Sequence, residues 1–124
     1  VPLLDMIRYQ NFLVAKLWVP EYGSSDDPKQ FEYLLRYSPY QNVKDGVKYP
    51  AVLFVTGDSD TRVAPLHARK MTARVQAASR SGLPVLLLYD TKTGHSGGKP
   101  VSQVIEDDTD VLSFLAWQLG AGAR

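Results

Sequence analysis

Asp60 and His95 are the residues of this chain whose types and spacing could do chemistry together. Asp60 lies in VTGDSDTRVAP, residues 55–65, where a five-residue apolar run from Ala51 to Val55 opens into a glycine, two aspartates and an arginine. His95 lies in TKTGHSGGKP, flanked by Gly94, Ser96, Gly97 and Gly98, which leave its ring room to face a cleft. A carboxylate that accepts from one imidazole nitrogen fixes the tautomer. The other nitrogen can then take a nucleophile's proton and later return it to a leaving group.

The elements that must position this pair can be read from the surrounding punctuation. YPAVLFVTGD predicts a strand at about 51–55 and PVLLLYD a second at about 84–89. Both are apolar without alternation, as in parallel strands covered by helices on both sides. Between them Pro65 can begin a helix running to about 80, with His67, Met71, Val75 and Ala78 stepping by three or four, and Gly82 stands at its expected end. Upstream, Asp27 can cap a helix over about 28–37, with Pro28 in its first turn and Gln30 at the capping-box position. A long helix over about 100–119 carries Val101, Val104, Ile105, Leu112, Leu115 and Leu119 on one side. Strand, helix, strand, helix specifies a right-handed parallel unit, which would bring the two post-strand loops to the same sheet edge. Loops at that edge are where α/β proteins keep their chemistry.

Composition bounds the class. The 124 residues, 44% hydrophobic and 22% charged, suffice for one domain core and are too few for two. A net charge of +1 with scattered positive residues argues against nucleic acid. No run approaches the ~18 apolar residues of a membrane span, and the opening VPLLDMIRYQ lacks the features of a signal peptide. Zero cysteines exclude disulfides and thiolate chemistry within these residues, which suits a cytoplasmic or periplasmic setting, the former favoured. No cofactor motif is present. A zinc site from His67 and His95 would need a further ligand at a spacing the sequence does not offer, so no metal is expected. His67, on the apolar stripe of its helix, reads as a structural histidine satisfied by the backbone.

An acid followed by a histidine is the order of the last two members of an α/β-hydrolase triad. The nucleophile of such a triad sits in a G-x-S-x-G elbow, and no such pentapeptide occurs here. Upstream of Asp60 stand only Ser24, Ser25, Ser38 and Ser59. On pattern alone Asp60 could equally be a local turn cap and His95 a surface residue.

Three stretches, LWVPEYGSS with FEYLLRYSPYQNV, YPAVLFVTGDSDTRVAPLHARKM and TKTGHSGGKP, together resemble the carboxyl-terminal part of the catalytic domain of the prolyl oligopeptidase family, serine peptidases that cleave short peptides after proline. The resemblance runs from LLDM to the last helix. It implies the C-terminal portion of an α/β-hydrolase fold, with parallel strands, flanking helices and an incomplete sheet. It also implies that Asp60 is the triad acid, His95 the base, and Arg62 a binder of a substrate carbonyl or carboxylate. Trp18 and Tyr22 would line a proline pocket, with Trp18 stacked on the pyrrolidine and Val63 and Leu3 closing its apolar walls. The family's serine elbow, oxyanion-hole donors and N-terminal β-propeller have no counterpart in these residues. Residues 1–124 are thus expected to be one partial domain, inactive alone, whose partners are the remainder of the catalytic domain and short proline-containing peptides, with neither nucleic acid nor membrane. A homo-oligomer is expected of the isolated chain. The competing expectation is a noncatalytic α/β association or folding module, in which Trp18, Val63 and Leu3 are packing residues and Arg62 pairs with Asp58 or Asp60.

Overall fold

The computed structural model describes residues 1–95 and 99–121. Two strands, β1 (Val52–Gly57) and β2 (Val85–Asp90), pair in parallel, register running from Val52 opposite Val85 to Gly57 opposite Asp90. Parallel neighbours need a crossover rather than a tight turn, and α3 (Leu66–Ala78) supplies it. Both strands extend to about one or two residues beyond the apolar runs, because the pairing continues through Thr56, Gly57, Tyr89 and Asp90.

Successive residues of a strand face opposite sides of the sheet. On one side Val52, Phe54 and Val85 pack with Met71, Val75 and Ala78 of α3 and with Val43. Every member of the stripe His67, Met71, Val75, Ala78 is buried. The helix ends earlier than its sequence suggests. Ser79 leaves helical space at ψ 138°, since Gly46 N–H donates to the Ala78 carbonyl at 2.8 Å and Arg80 N–H to the Val47 carbonyl at 3.0 Å, drawing the chain toward residues 46–47. Gly82, expected to terminate the helix, instead takes φ +72° in the turn into β2.

On the other side of the sheet lies α4 (Val101–Leu119). Its half-buried line is Gln103, Asp107, Val111, Phe114 and Gln118. Lys99 pairs with both Asp90 and Asp107, and Gln103 Nε2 donates to Asp107 at 3.0 Å, fixing how the helix is rotated. The apolar stripe therefore turns outward: Val101, Ile105, Leu112 and Leu119 are 60–78% exposed. Between α4 and the sheet runs a groove of about 510 Å³ lined chiefly by Leu53, Leu86, Leu88, Phe114 and Trp117.

The chain before β1 forms two 3-10 stretches, Tyr9–Asn11 and Leu13–Trp18, then α1 (Val19–Tyr22) and α2 (Pro28–Tyr37). Asp27 caps α2 as its position predicts, its Oδ1 accepting from Lys29 N–H at 2.8 Å and Gln30 N–H at 3.2 Å. Gln30 does not close the box onto Asp27; its Oε1 accepts from Ser24 N–H at 2.7 Å, fastening α2 to the loop after α1. A second core of Met6, Tyr9, Ala15 and Leu34 gathers here, with Leu3, Trp18 and Tyr22 partly buried against it. The two halves are joined at Asp5. Its N–H donates to His67 Nδ1 at 3.2 Å, and its buried carboxylate accepts from Lys70, from Gln41 Nε2 at 2.7 Å and from Arg8 at 3.4 Å.

Candidate active site

Gly57 ends β1 because the loop after β2 lies against it. A Cβ at Gly57 would stand 2.3 Å from the Thr93 carbonyl oxygen and 2.9 Å from that of Gly94. The absence of a side chain lets backbone bonds stitch the two post-strand loops together, Asp58 N–H to Asp90 O at 2.7 Å and Ser59 N–H to Thr93 O at 3.2 Å. Asp90 braces the second loop by accepting from Lys92 N–H at 2.8 Å and from the Thr93 hydroxyl.

This stitching brings Asp60 and His95 together across 35 residues, with His95 Nδ1 2.9 Å from Asp60 Oδ2. Asp60 Oδ1 accepts from the N–H groups of Arg62 and Val63, both at 2.8 Å. The Asp60 side chain is fully buried and that of His95 is 32% exposed. Burial by itself would raise the Asp60 carboxyl, but the hydrogen bonds from His95, Val63 and Arg62 outweigh it and hold the group below the usual carboxylate range. An ionised Asp60 can only accept, so His95 Nδ1 carries the proton and Nε2 is left as a base. Of the residues around His95, Ser96, Gly97 and Gly98 lie outside the described residues.

His95 borders a pocket of about 500 Å³ whose remaining lining is Leu3, Trp18, Glu21, Tyr22, Arg62 and Val63. The five side chains that the sequence singled out for substrate thus converge on one cavity with the histidine. Leu3, Trp18 and Tyr22 also pack on the second core, so the packing role and a pocket-lining position coexist in them. Among the described residues the Arg62 guanidinium pairs with neither acid; Asp58 instead accepts from the Tyr89 hydroxyl. His67, in contrast, is 1% exposed and accepts from the Asp5 backbone. Burial, the largest influence, pushes its imidazole down to about 4, so it is neutral near pH 7. No group of three or more metal-ligating side chains occurs among the described residues, and none of their helices is long and apolar enough to cross a membrane.

Five residues of this site escaped the sequence reading: Gly57, Glu21, Tyr9, Gly23 and Tyr33. The Tyr9 hydroxyl donates to Gly23 O at 2.6 Å and the Tyr33 hydroxyl to Tyr22 O at 3.1 Å, while the Tyr9 and Tyr22 rings meet edge to face at 5.8 Å. Gly23 takes φ +97°, a conformation that strains any residue with a side chain, and a Cβ there would stand 1.8 Å from Tyr33 Oη and displace that ring. Together these contacts hold the wall carrying Trp18 and Tyr22. A glycine at the mouth of a strand is the signal by which Gly57 could have been found; the tyrosines carry none, because their partners are distant in sequence.

Residues 1–122 match the sequence profile of the Prolyl oligopeptidase family. The chain is 41% identical over 121 residues to a prolyl endopeptidase of Elizabethkingia miricola, covering 97% of this chain and 17% of that protein. It is 35% identical over 119 residues to a prolyl endopeptidase of Dictyostelium discoideum, covering 94% and 16%. Among solved structures, one from a study of two prolyl endopeptidases superposes with a TM-score of 0.92 at 43% identity, over 96% of this chain and 18% of that one. Prolyl oligopeptidase B of Galerina marginata, bound to a 35mer hydrolysis and macrocyclization substrate, superposes at 0.87 with 31% identity, over 95% and 17%. The chain thus spans about a sixth of the length of the relatives it matches.

Proposed function

This chain belongs to the prolyl oligopeptidase family and has part of an α/β-hydrolase fold, and from that premise we propose that it is the acid-and-base segment of a serine peptidase acting on short proline-containing peptides. The observation that supports the reading best is the Asp60–His95 pair, 2.9 Å apart, bordering the pocket that contains Trp18, Tyr22, Arg62, Val63 and Leu3. His95 Nε2 takes the proton of a serine hydroxyl supplied by a segment outside these residues, the serine attacks the carbonyl carbon of the proline itself, and as the bond to the following nitrogen breaks His95⁺ protonates the departing amine. Water then hydrolyses the acyl enzyme by the same base. Asp60 does not change protonation; it keeps the imidazole aimed and stabilises its charged form.

The pocket recognises what a proline offers. A pyrrolidine has no donor, so a flat ring such as Trp18 and the apolar walls of Val63 and Leu3 select it by shape and area. Arg62 presents a fork of donors to a substrate carbonyl or carboxylate. The test is hydrolysis of a proline-linked chromogenic peptide by the full-length protein that carries these residues and by the same protein with His95→Ala. Activity lost with His95 at an unchanged folded fraction supports the role. Activity retained overturns it.

A noncatalytic association module is the second reading, and the outward apolar face of α4 favours it for the chain in isolation. The two readings part on whether a nucleophile elbow stands upstream of Val1 in the parent reading frame.

A further inference from the structure

We propose that Glu21 is a specificity-determining residue of this pocket, selecting peptides that carry a cationic group beside the proline. The inference rests on the prolyl-pocket reading above and adds to it a discrimination by charge.

Trp18, Glu21 and Tyr22 stand three and four residues apart in and around α1, a spacing that puts them on one face. All three line the pocket together with Arg62. Neither the Glu21 carboxylate nor the Arg62 guanidinium has a hydrogen-bond or ion-pair partner among the described residues, apart from the Arg62 backbone N–H held by Asp60. Both positions are braced: α1 by Tyr9 on Gly23 O and Tyr33 on Tyr22 O, the Arg62 turn by Asp60. The cavity therefore presents two opposite charges that do not satisfy one another, each available to a ligand. Arg62 suits a carbonyl or carboxylate. Glu21 attracts an ammonium or guanidinium and repels an acidic side chain. The cation can come from a lysine or arginine preceding the proline, or from a free amino terminus there; both offer the same positive donor.

Glu21 is exposed, so its field is screened by solvent and salt. The expected discrimination is about three- to tenfold at low ionic strength. Acetyl-Lys-Pro-amide, acetyl-norleucyl-Pro-amide, acetyl-Glu-Pro-amide and norleucyl-Pro-amide are titrated calorimetrically into the full-length protein that carries these residues, made inactive by His95→Ala, and into its Glu21→Gln and Glu21→Lys variants, at ~0.02 M and ~0.5 M salt. The lysyl peptide should bind tighter than the norleucyl one, and the glutamyl one weaker. The differences should shrink at high salt, and the advantage of the lysyl peptide over the norleucyl one should be lost with Glu21→Gln and inverted with Glu21→Lys. A gain by norleucyl-Pro-amide over its acetylated form assigns the cation to the amino terminus; a gain by the lysyl peptide alone assigns it to the side chain. Prolyl peptides that bind equally whatever their charge overturn the role of Glu21 and leave the pocket standing. Failure of every peptide to bind overturns the pocket and the selection with it.

Discussion

Asp60 Oδ2 stands 2.9 Å from His95 Nδ1 while Asp60 Oδ1 takes the N–H groups of Arg62 and Val63 at 2.8 Å. One carboxylate closes its own turn and aims an imidazole 35 residues away. Asp60→Asn preserves an oxygen for the turn but places an amide against Nδ1, forcing the tautomer whose Nε2 carries the proton. In the full-length protein kcat is expected to fall by on the order of 10³ to 10⁴. His67→Ala should act through stability, because His67 is buried on the Asp5 backbone away from the pocket. Steady-state kinetics at matched folded fraction separates the two; equal losses in kcat would assign the base to the wrong histidine.

The isolated 124-residue chain is expected to show no turnover of a proline-linked chromogenic peptide. On the proposed reading the nucleophile lies outside these residues; an acid and a base without it cannot form an acyl enzyme, and triad members act as a unit. Turnover that survives rigorous purification and disappears with His95→Ala would refute this.

His67 gives stability a distinct pH dependence. Its folded value of about 4 lies below the ordinary 6.5, with burial the principal cause. The unfolded chain therefore binds the proton more readily, and stability is complete above about pH 6.5 and falls as pH drops toward 4. A depression of this size corresponds to about 3 kcal/mol. Asp5 and Asp60, both held below the ordinary carboxylate value, contribute stability above the unfolded value of about 4 that is lost as pH falls through their folded values, so the difference between the wild type and a His67 variant across the 6.5-to-4 window reports His67. Denaturant titrations across that window should slope for the wild type and flatten by about 3 kcal/mol in His67→Gln. Parallel slopes would count against the burial argument.

Gly57→Ala tests the stitching of the loops. The added methyl meets backbone oxygen at 2.3 Å, which no side-chain rotation relieves, so the loops must part. A loss of about 1–3 kcal/mol is expected, with weakening of the His95–Asp60 hydrogen bond visible as loss of the downfield Nδ1–H proton resonance. A variant of native stability with that resonance intact would show that the loops have room.

The isolated chain is expected to self-associate. Leu112, Leu119 and Trp117 of α4 are 63–78% exposed, and the two-stranded sheet has open edges. Burial at ~25 cal/mol per Å² makes a few hundred Å² worth several kcal/mol before docking entropy. Sedimentation equilibrium at micromolar concentration should find a dimer or larger species, reduced by Leu112→Lys with Leu119→Lys. A single species of 13.8 kDa with cooperative unfolding would show that these residues close their own core.

Local signals in the sequence settled β1, β2 and the three longer helices, and left the 3-10 stretches and α1 unmarked. Unalternating apolar runs made β1 and β2, the Asp27–Pro28 pair began α2, and the buried stripe from His67 to Ala78 made α3. These are properties of neighbouring residues, and propensity and periodicity record them directly. The tertiary structure decided what those signals do not encode. The end of α3 was set by backbone bonds from residues 46 and 80. The outward turn of the α4 stripe followed from Lys99 and Asp107. The pocket took Glu21 beside Trp18, on a wall held by Tyr9 and Gly23. The same holds for the meeting of Asp60 and His95, which needs parallel pairing and a bare Gly57 beneath the Thr93 carbonyl. Each is a contact between residues far apart in the chain, whose geometry exists only once the intervening segments have packed.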